Sequence, residues 1–249
     1  MTRAGLIRLA LIFGAFALLE WACRYGYVSR EAVIPPTTML QGAWRALASE
    51  ETRGEILWTL QNVALSLILS LIVGSAAGLL LHKAARLRRA LDPLLASYYA
   101  VPTFVFYPLF IVLFGLGDVP QILIGFMLGL VAVIVNTLSG LDRVPRVLMK
   151  TARIHRLGPV ATALQVSLPY AVPYIFTGVK LAVAYSFIGV IGAELIMSRT
   201  GLGYEIGYAY NNFDNAVMYP LIVFVLAVAA TVNTMFFLWE KKMLARRRK

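Results

Sequence analysis

The chain has 249 residues, of which 60% are hydrophobic and 14% charged, and its formal net charge is +11 at pH 7. A soluble globular protein is excluded, because so few polar residues could not cover so large an apolar core, and the composition is typical of a polytopic membrane protein. The single cysteine, Cys23, excludes a disulfide framework within the chain.

Six apolar segments approach or exceed the roughly 17 to 25 residues that a helix needs to cross a bilayer. In chain order they are residues 6–21, 56–81, 93–114, 121–138, 173–197 and 217–239. Short links join them and no composition shift marks a boundary. The sequence therefore predicts an all-α membrane protein with six transmembrane helices in one domain, 1–249.

The first apolar segment ends in the residues LLEWAC. Glu20 occupies the place where a lipoprotein cleavage site has a small aliphatic residue, so we expect residues 1–22 to be a retained first helix. A cleaved signal peptide is the alternative for this segment.

Lys and Arg are concentrated on one side of the predicted spans. They cluster before the first span, in 82–92, in 142–169 and after Trp239. Basic loops stay in the cytoplasm, so both termini are predicted to be cytoplasmic. Anionic inner-leaflet lipid explains the positive charge better than nucleic acid does, and the tail KKMLARRRK, directly after a span, is interpreted as a membrane anchor.

The segment 24–55 is predicted to lie outside the membrane. Two prolines precede Thr37 and Thr38, whose side chains are suited to cap a helix, and Leu40, Trp44 and Leu47 then follow helical spacing. A short interfacial helix is expected here.

The segment 142–169 is a basic amphipathic interruption between two apolar spans. Five Lys and Arg face one acid, Asp142, while Ile154, Leu157, Ala161 and Leu164 share a helical face. Gly158 and the proline after it are predicted to divide the segment into two short helices. A docking surface on the cytoplasmic side is favoured, and a solvated connector is the alternative.

Several polar or helix-breaking residues fall within the predicted spans. Asn62 and Asn136 are candidates for helix packing or for the lining of a path, and Glu194 for an outer gate or a tie between helices. Lys180 is expected to extend to lipid headgroups. Pro102 breaks the third span among aromatic residues that pack or line a pore: Tyr98, Tyr99, Phe104, Phe106 and Tyr107.

The chain lacks the patterns of most catalytic sites. It has no GxxxxGK[ST] phosphate loop, so it is not expected to bind ATP. His82 and His155 lie in separate basic loops without metal-ligand spacing, and the spans hold no pair of carboxylates. No catalytic, metal or cofactor site is predicted. An integral membrane enzyme and a membrane scaffold without transport remain as alternatives.

Three stretches carry a resemblance to a known family. They are DPLLASYYAVPTFVFYPLFIVLFGLGDVPQILIG, VNTLSGLDRVPRVLMKTARIHRLG and VSLPYAVPYIFTGVKLAVAYSFIGVIGAELIMSRTGLGYEIGYA. They resemble the membrane permease subunit of binding-protein-dependent ABC importers of the nitrate, taurine and alkanesulfonate type. The likeness covers residues 54–240. It implies a type I ABC importer permease fold in a bacterial inner membrane.

In that family the cytoplasmic loop carries the EAA motif: Glu-Ala-Ala, a Gly four residues after the last Ala, and an Ile-x-Leu-Pro ending. Ala152, Val166, Leu168 and Pro169 fit this spacing. The loop is degenerate, with Lys150 for Glu, Thr151 for Ala and Arg156 for Gly. Gly158 would come into register only if two residues were lost before Val166. The coupling loop implied by the resemblance comprises Lys150, Thr151, Ala152, Arg153, Arg156, Leu157, Gly158, Leu168 and Pro169.

The resemblance further implies how the protein works. Partners would be cytoplasmic ABC ATPase subunits that bind the ATP, a second permease copy or a paralogue, and an external solute-binding protein. The transported solute would be small and polar or anionic: a sulfonate, taurine, nitrate, an aromatic acid or a vitamin precursor.

Overall fold

The computed structural model describes residues 3–29 and 32–246, and every regular element in that range is helical. The α-helices in chain order are α1 Arg3–Arg24, α2 Pro36–Ala48, α3 Glu50–Lys83, α4 Ala85–Ser97, α5 Tyr107–Phe114, α6 Asp118–Asp142, α7 Arg146–Ile154, α8 Pro159–Thr162, α9 Leu168–Met197, α10 Leu202–Asn211 and α11 Asn215–Arg246. Short 3₁₀ turns lie at Tyr98–Ala100 and Thr103–Phe106. The predicted all-α class is confirmed.

Four helical segments of the described range are long and apolar enough to cross a membrane. They are Glu50–Lys83, Asp118–Asp142, Pro159–Met197 and Asn215–Lys242. A fifth candidate is the bent pair Ala85–Ala100 and Thr103–Phe114, whose halves meet at 93°. These segments coincide with five of the predicted spans. The predicted span 6–21 coincides with α1, and the total of six crossings stays a prediction.

The third predicted span is broken, as expected from its proline. Pro102 has an extended backbone, with φ −67° and ψ 96°, and lies between the two 3₁₀ turns. It has no N–H to donate to the preceding turn, and its ring disfavours a helical conformation at Val101 before it. The two halves of the span therefore run in different directions.

Helix α6 packs between α3 and α9, and small residues allow the close approach of the three backbones. On α3 a buried small residue recurs every fourth position, which places all of them on one face: Ser66, Ser70, Gly74 and Gly78. A Cβ atom on Gly74 would lie 2.7 Å from the Cβ of Val133 on α6. The resulting interfaces leave no room for larger side chains.

A short helix forms within 24–55 as expected, but its N-terminus differs from the prediction. Neither Thr37 nor Thr38 caps α2, because the N-cap residue is Pro35 and Pro36 occupies the first turn. The Thr37 side chain instead donates to Glu20 of α1 at 2.7 Å. The apolar residues that gave the helical spacing, among them Trp44, are exposed, and the location of this helix at a membrane surface stays a prediction.

The prediction of two short helices in 142–169 is only half correct. Helix α7 is separate, but α8 continues through the π-helical turn Ala163–Ser167 into α9, so residues from Pro159 onward extend the fifth span. The change of direction therefore lies at residues 155–158. Pro169 is in the first turn of α9 and Pro173 lies inside that helix.

The prediction that Lys180 extends to lipid headgroups is wrong. Its ammonium group donates to Glu240 of α11 at 2.7 Å, and both side chains are largely shielded from solvent. The Thr177 hydroxyl also approaches Glu240, at 3.5 Å. The pair ties α9 to α11, because a charged group inside a bilayer is stabilised by an opposite charge.

Candidate functional site

A cleft of about 420 Å³ opens between α4, α6 and α9. The rings of Tyr99 and Tyr185 stack across it with centroids 5.1 Å apart. Its lining residues are Arg88, Asp92, Leu95, Ala96, Tyr99, Val131, Ala132, Val135, Asn136, Leu138, Ser139, Leu181 and Tyr185. An apolar cavity that carries a few polar groups is the usual form of a site for a small molecule.

Asn136 is the one candidate path residue, of the four predicted, that lines this cleft. Its side-chain amide donates to the carbonyl of Ala132 at 2.8 Å, which leaves the amide oxygen and a second N–H to face other groups. Pro102 lies outside the cleft wall, at the break of the span. Its contribution is to set the path of the chain that carries Tyr99.

Asn62 is buried in a polar contact between helices rather than in the cleft. Its amide donates to Asp118 at 3.2 Å and to Gln121 at 3.0 Å, both on α6. Gln121 in turn donates to Ser198, beyond the end of α9, at 2.7 Å. These contacts are those of helix packing between α3, α6 and α9.

Glu194 lies in a second buried network, around the start of α10. Its side chain is fully buried, and its two carboxylate oxygens lie 3.0 and 2.9 Å from the Thr59 hydroxyl. The carboxylate also accepts from the backbone N–H of Gly203 at 2.9 Å. These contacts are those of a tie between α3, α9 and α10.

Two more backbone N–H groups at the start of α10 are also paired. The Thr59 hydroxyl accepts from the N–H of Leu202 at 2.8 Å, and Glu55 accepts from the N–H of Gly201. Gly201 has φ +98°, a conformation that favours glycine. Carboxylates at a helix N-terminus interact favourably with its dipole, so three side chains from two spans fix the turn Gly201–Leu202–Gly203.

One end of the cleft lies beside the start of the loop 142–169. Asp142, the last residue of α6, accepts two hydrogen bonds of 2.7 Å from the guanidinium group of Arg88 on α4. His82, near the end of α3, approaches the same carboxylate at 3.2 Å. The acid of the loop thus pairs with α4 and not with the loop's own basic residues.

Helix α7 presents its basic residues outward. Ala152 is buried, and the hydroxyl of Ser167 lies 3.7 Å from the sulfur of Met149, so this face rests on the start of the fifth span. Ile154 is 78% exposed. The loop's cations are exposed and have no ion pair within the described residues: Arg143, Arg146, Lys150, Arg153 and Arg156.

The end of α7 explains why a glycine suits one position of the loop. Arg156 has φ +53°, in the left-handed region, whereas Gly158 has an ordinary φ of −65°. The N–H of Leu157 donates to Ala152 and the N–H of Arg156 donates to Arg153, at 3.0 and 2.9 Å. This is a Schellman motif, in which glycine is the favoured residue at the left-handed position.

The substitution Arg156→Gly should therefore stabilise the protein. Relief of the left-handed strain is partly offset by the greater freedom of glycine in the unfolded chain, and we expect a net gain of about 0.5 to 1 kcal/mol. Thermal unfolding of the purified permease measures this, with Gly158→Ala as a control at a position without left-handed backbone. A lower unfolding temperature for Arg156→Gly would contradict the assignment.

The structure also brings together residues that the sequence analysis did not single out. Thr59, Arg88 and Tyr185 are examples, each with a partner or neighbour more than 50 positions away in the chain. The four-residue spacing of small residues on α3 is a sequence signal of this close packing. Within the described residues, no group of three or more His, Cys, Asp or Glu could hold a metal ion.

The apolar helices and the all-α architecture define a multi-pass membrane protein. Residues 66–249 match the family described as binding-protein-dependent transport system inner membrane component. The match covers more than half of the chain. The chain therefore belongs to this family of ABC importer permeases.

Named relatives agree with the family. The chain is 29% identical over 213 residues to the nitrate import permease protein NrtB of Leptolyngbya laminosa, covering 82% of this chain and 76% of the relative. It is 28% identical to the putative aliphatic sulfonates transport permease protein SsuC of Bacillus subtilis, covering 88% and 79%. It is 26% identical to the bicarbonate transport system permease protein CmpB of Synechococcus elongatus, covering 82% and 69%.

A solved structure shares the fold. The MetNI methionine ABC transporter in inward-facing conformations matches with a TM-score of 0.63, 18% sequence identity, and coverage of 78% of this chain and 98% of that chain. The protein is thus a transport permease and not an enzyme. The family has no cofactor of its own, and its members work with ATPase subunits, a second permease and a solute-binding protein.

Proposed function

We propose that this chain forms half of the translocation path for a small anion, in one permease domain of six spans, 1–249, with both termini in the cytoplasm. The observation that carries the proposal is the largely apolar cleft with a few polar groups between α4, α6 and α9, whose inner end lies beside the start of the coupling loop. A second copy or a paralogue would supply the other half.

The choice of an anion rests on the relatives and on the lining of the cleft. Nitrate, bicarbonate and aliphatic sulfonates, named for three relatives, are all small anions. The cleft offers neutral hydrogen-bond donors on Asn136, Ser139 and Tyr185. Such groups bind an anion weakly enough to release it, as transport requires.

The loop 142–169 is the proposed docking surface for the ATPase. Arg143 lies over the Tyr174 ring, but the other exposed cations and the apolar Ile154 face away from the rest of the chain, and residues 143–169 include no acid. The matching surface of the ATPase should therefore carry acidic groups around an apolar pocket. ATP-driven closure of the two ATPases would move α7 and change the side from which the cleft is open.

A cysteine experiment tests the sidedness and the docking together. Ile154→Cys and Arg199→Cys, each in a Cys23→Ala background, should react from the cytoplasm and from the exterior respectively. Both side chains are exposed, so access depends on the side of the membrane alone. The Ile154→Cys variant should also cross-link to the ATPase in the assembled complex, whereas Leu87→Cys, exposed on α4, is the control expected to label without cross-linking.

Two outcomes would contradict this proposal. Labelling of position 154 by an impermeant reagent in intact cells would reverse the topology. A scan of positions 150–158 without any cross-link, in a complex that still hydrolyses ATP and transports, would exclude the loop as the docking surface.

A further inference from the structure

Helix α4 forms one wall of the cleft and is held to the rest of the chain by few contacts. None of its residues is fully buried. Leu91 and Leu95 pack against a cluster on α3 and α6 formed by Leu81, Ile134 and Leu138. Near the cytoplasmic end of the helix, the Arg88 guanidinium group is its polar attachment to α6. A wall held mainly by its contact with the last residue of α6 can move as a unit together with that end of α6.

The attachment is stronger than an ordinary surface ion pair. Both N–H···O contacts between Arg88 and Asp142 are 2.7 Å, and the side chains are 30% and 39% exposed. Two parallel bonds from a guanidinium group fix orientation as well as distance. Asp92 lies 3.8 Å from the remaining Arg88 nitrogen, so the group is surrounded by carboxylates and held in place.

Asp142, the acidic partner of Arg88, is the first residue of the coupling loop. Asp142 ends α6, and only three residues separate it from the start of α7 at Arg146. The next residue, Arg143, lies over the ring of Tyr174 on α9, 4.9 Å from its centroid. Two adjacent residues at the base of the loop therefore contact both α4 and α9, the helices on the two sides of the cleft.

We infer that Arg88 and Asp142 are positioning residues that make α4 follow the base of the coupling loop, so that a movement of α7 opens or closes the inner end of the cleft. The inference rests on the proposed function. On this inference, the movement of α7 reaches the cleft through a contact between two spans and not through the loop alone. A rigid link of this kind transfers displacement between packed elements.

Spin-label distances in the assembled complex of permease, ATPase and binding protein test the inference. Labels at Leu87→Cys on α4 and Leu181→Cys on α9, in one of the two permease copies with Cys23→Ala, report the width of the cleft. Trapping with ATP and vanadate should shift this distance when the Arg88–Asp142 pair is intact. The shift should be lost in Arg88→Ala and in the near-isosteric Asp142→Asn, while ATP hydrolysis continues.

Two control variants distinguish a loss of coupling between α7 and α4 from a general loss of structure. Asp142→Glu keeps the carboxylate and should retain the shift. Arg89→Ala removes a neighbouring exposed cation whose side chain donates to the Ala85 carbonyl of its own helix at 3.4 Å, and it should also retain the shift. Arg88→Ala and Asp142→Asn should continue to hydrolyse ATP. For the same amount of trapped nucleotide, the change in spin-label distance should be at least about 5-fold smaller than in the parent, as expected for the loss of a typical coupling energy.

The outcomes are distinguishable. If Arg88→Ala and Asp142→Asn keep the full shift, the inference is overturned and the proposed function stands. If the unsubstituted complex does not assemble or shows no shift on trapping, the proposed function itself fails. If both variants lose ATP hydrolysis and thermal stability together with the shift, the pair is structural and the inference is overturned.

Discussion

Gly189→Ala is expected to prevent α6 and α9 from packing and to destabilise the protein by about 3 kcal/mol, the upper end of typical overpacking. The added Cβ would lie 2.5 Å from the Cα and 2.8 Å from the backbone nitrogen of Gly125. These are main-chain atoms, so no side-chain rotation can relieve the contact. The two helices would have to separate along the most extensive interface of the bundle. Heating followed by size-exclusion chromatography in detergent measures the loss.

Gly54→Ala is the matched control, because it makes the same chemical change in another span. Gly54 is exposed on α3, and a Cβ there would meet nothing within 4 Å. Alanine is favoured over glycine in a helix by about 1 kcal/mol, so this variant should be slightly more stable than the parent. Equal stability of Gly189→Ala and Gly54→Ala would show that α6 and α9 do not approach as described.

The fold could be predicted from the sequence where the signal was local. Apolar length gave the position of five spans, and Pro102 gave the break in the third, because both features act within one helix. The exact ends of elements were less predictable: Thr37 was expected to cap α2, but its hydroxyl bonds to Glu20 on another helix. The helix begins two residues earlier than expected, because Pro35 is its N-cap and Pro36 its first residue.

The site was less predictable because its contacts join distant parts of the chain. Arg88 and Asp142 are 54 positions apart, and Thr59 and Glu194 are 135 apart. Charge counting placed Asp142 among the basic residues of its own loop, whereas the fold places it beside α4. The pairing of ionisable groups within a bundle follows from how the helices pack. Small residues allow that close packing, but a single sequence does not show which helix each of them packs against.

The two ends of the bundle differ in how their polar groups are used. At the end where α6 and α10 begin, Asn62 and Glu194 satisfy buried groups of neighbouring helices. At the opposite end, the Arg88–Asp142 contact is partly exposed, and the cations of α7 have no ion-pair partner in the described chain. The first end is therefore held by buried polar contacts, whereas the second leaves charged groups available for contact with another subunit, as the proposed docking requires.

Glu194→Ala is expected to cost about 3 kcal/mol, because it leaves two buried donors, the Thr59 hydroxyl and the N–H of Gly203, without their acceptor. Glu194→Gln keeps one acceptor oxygen and should cost about 1 kcal/mol. Thermal unfolding of the purified permease measures both. If Glu194 is a tie between helices, transport by each variant should fall only in proportion to the amount of folded protein.

Glu205→Gln is the control for this prediction, since it removes a carboxylate from α10, the helix that Glu194 contacts. Burial, together with the nearby carboxylates of Glu55 and Glu51, raises the pKa of Glu205, so its ionised form is disfavoured in the folded protein. A neutral amide at position 205 should therefore leave stability unchanged or slightly higher at neutral pH. Full stability of Glu194→Gln combined with a large loss of transport would identify Glu194 as a gate instead of a tie.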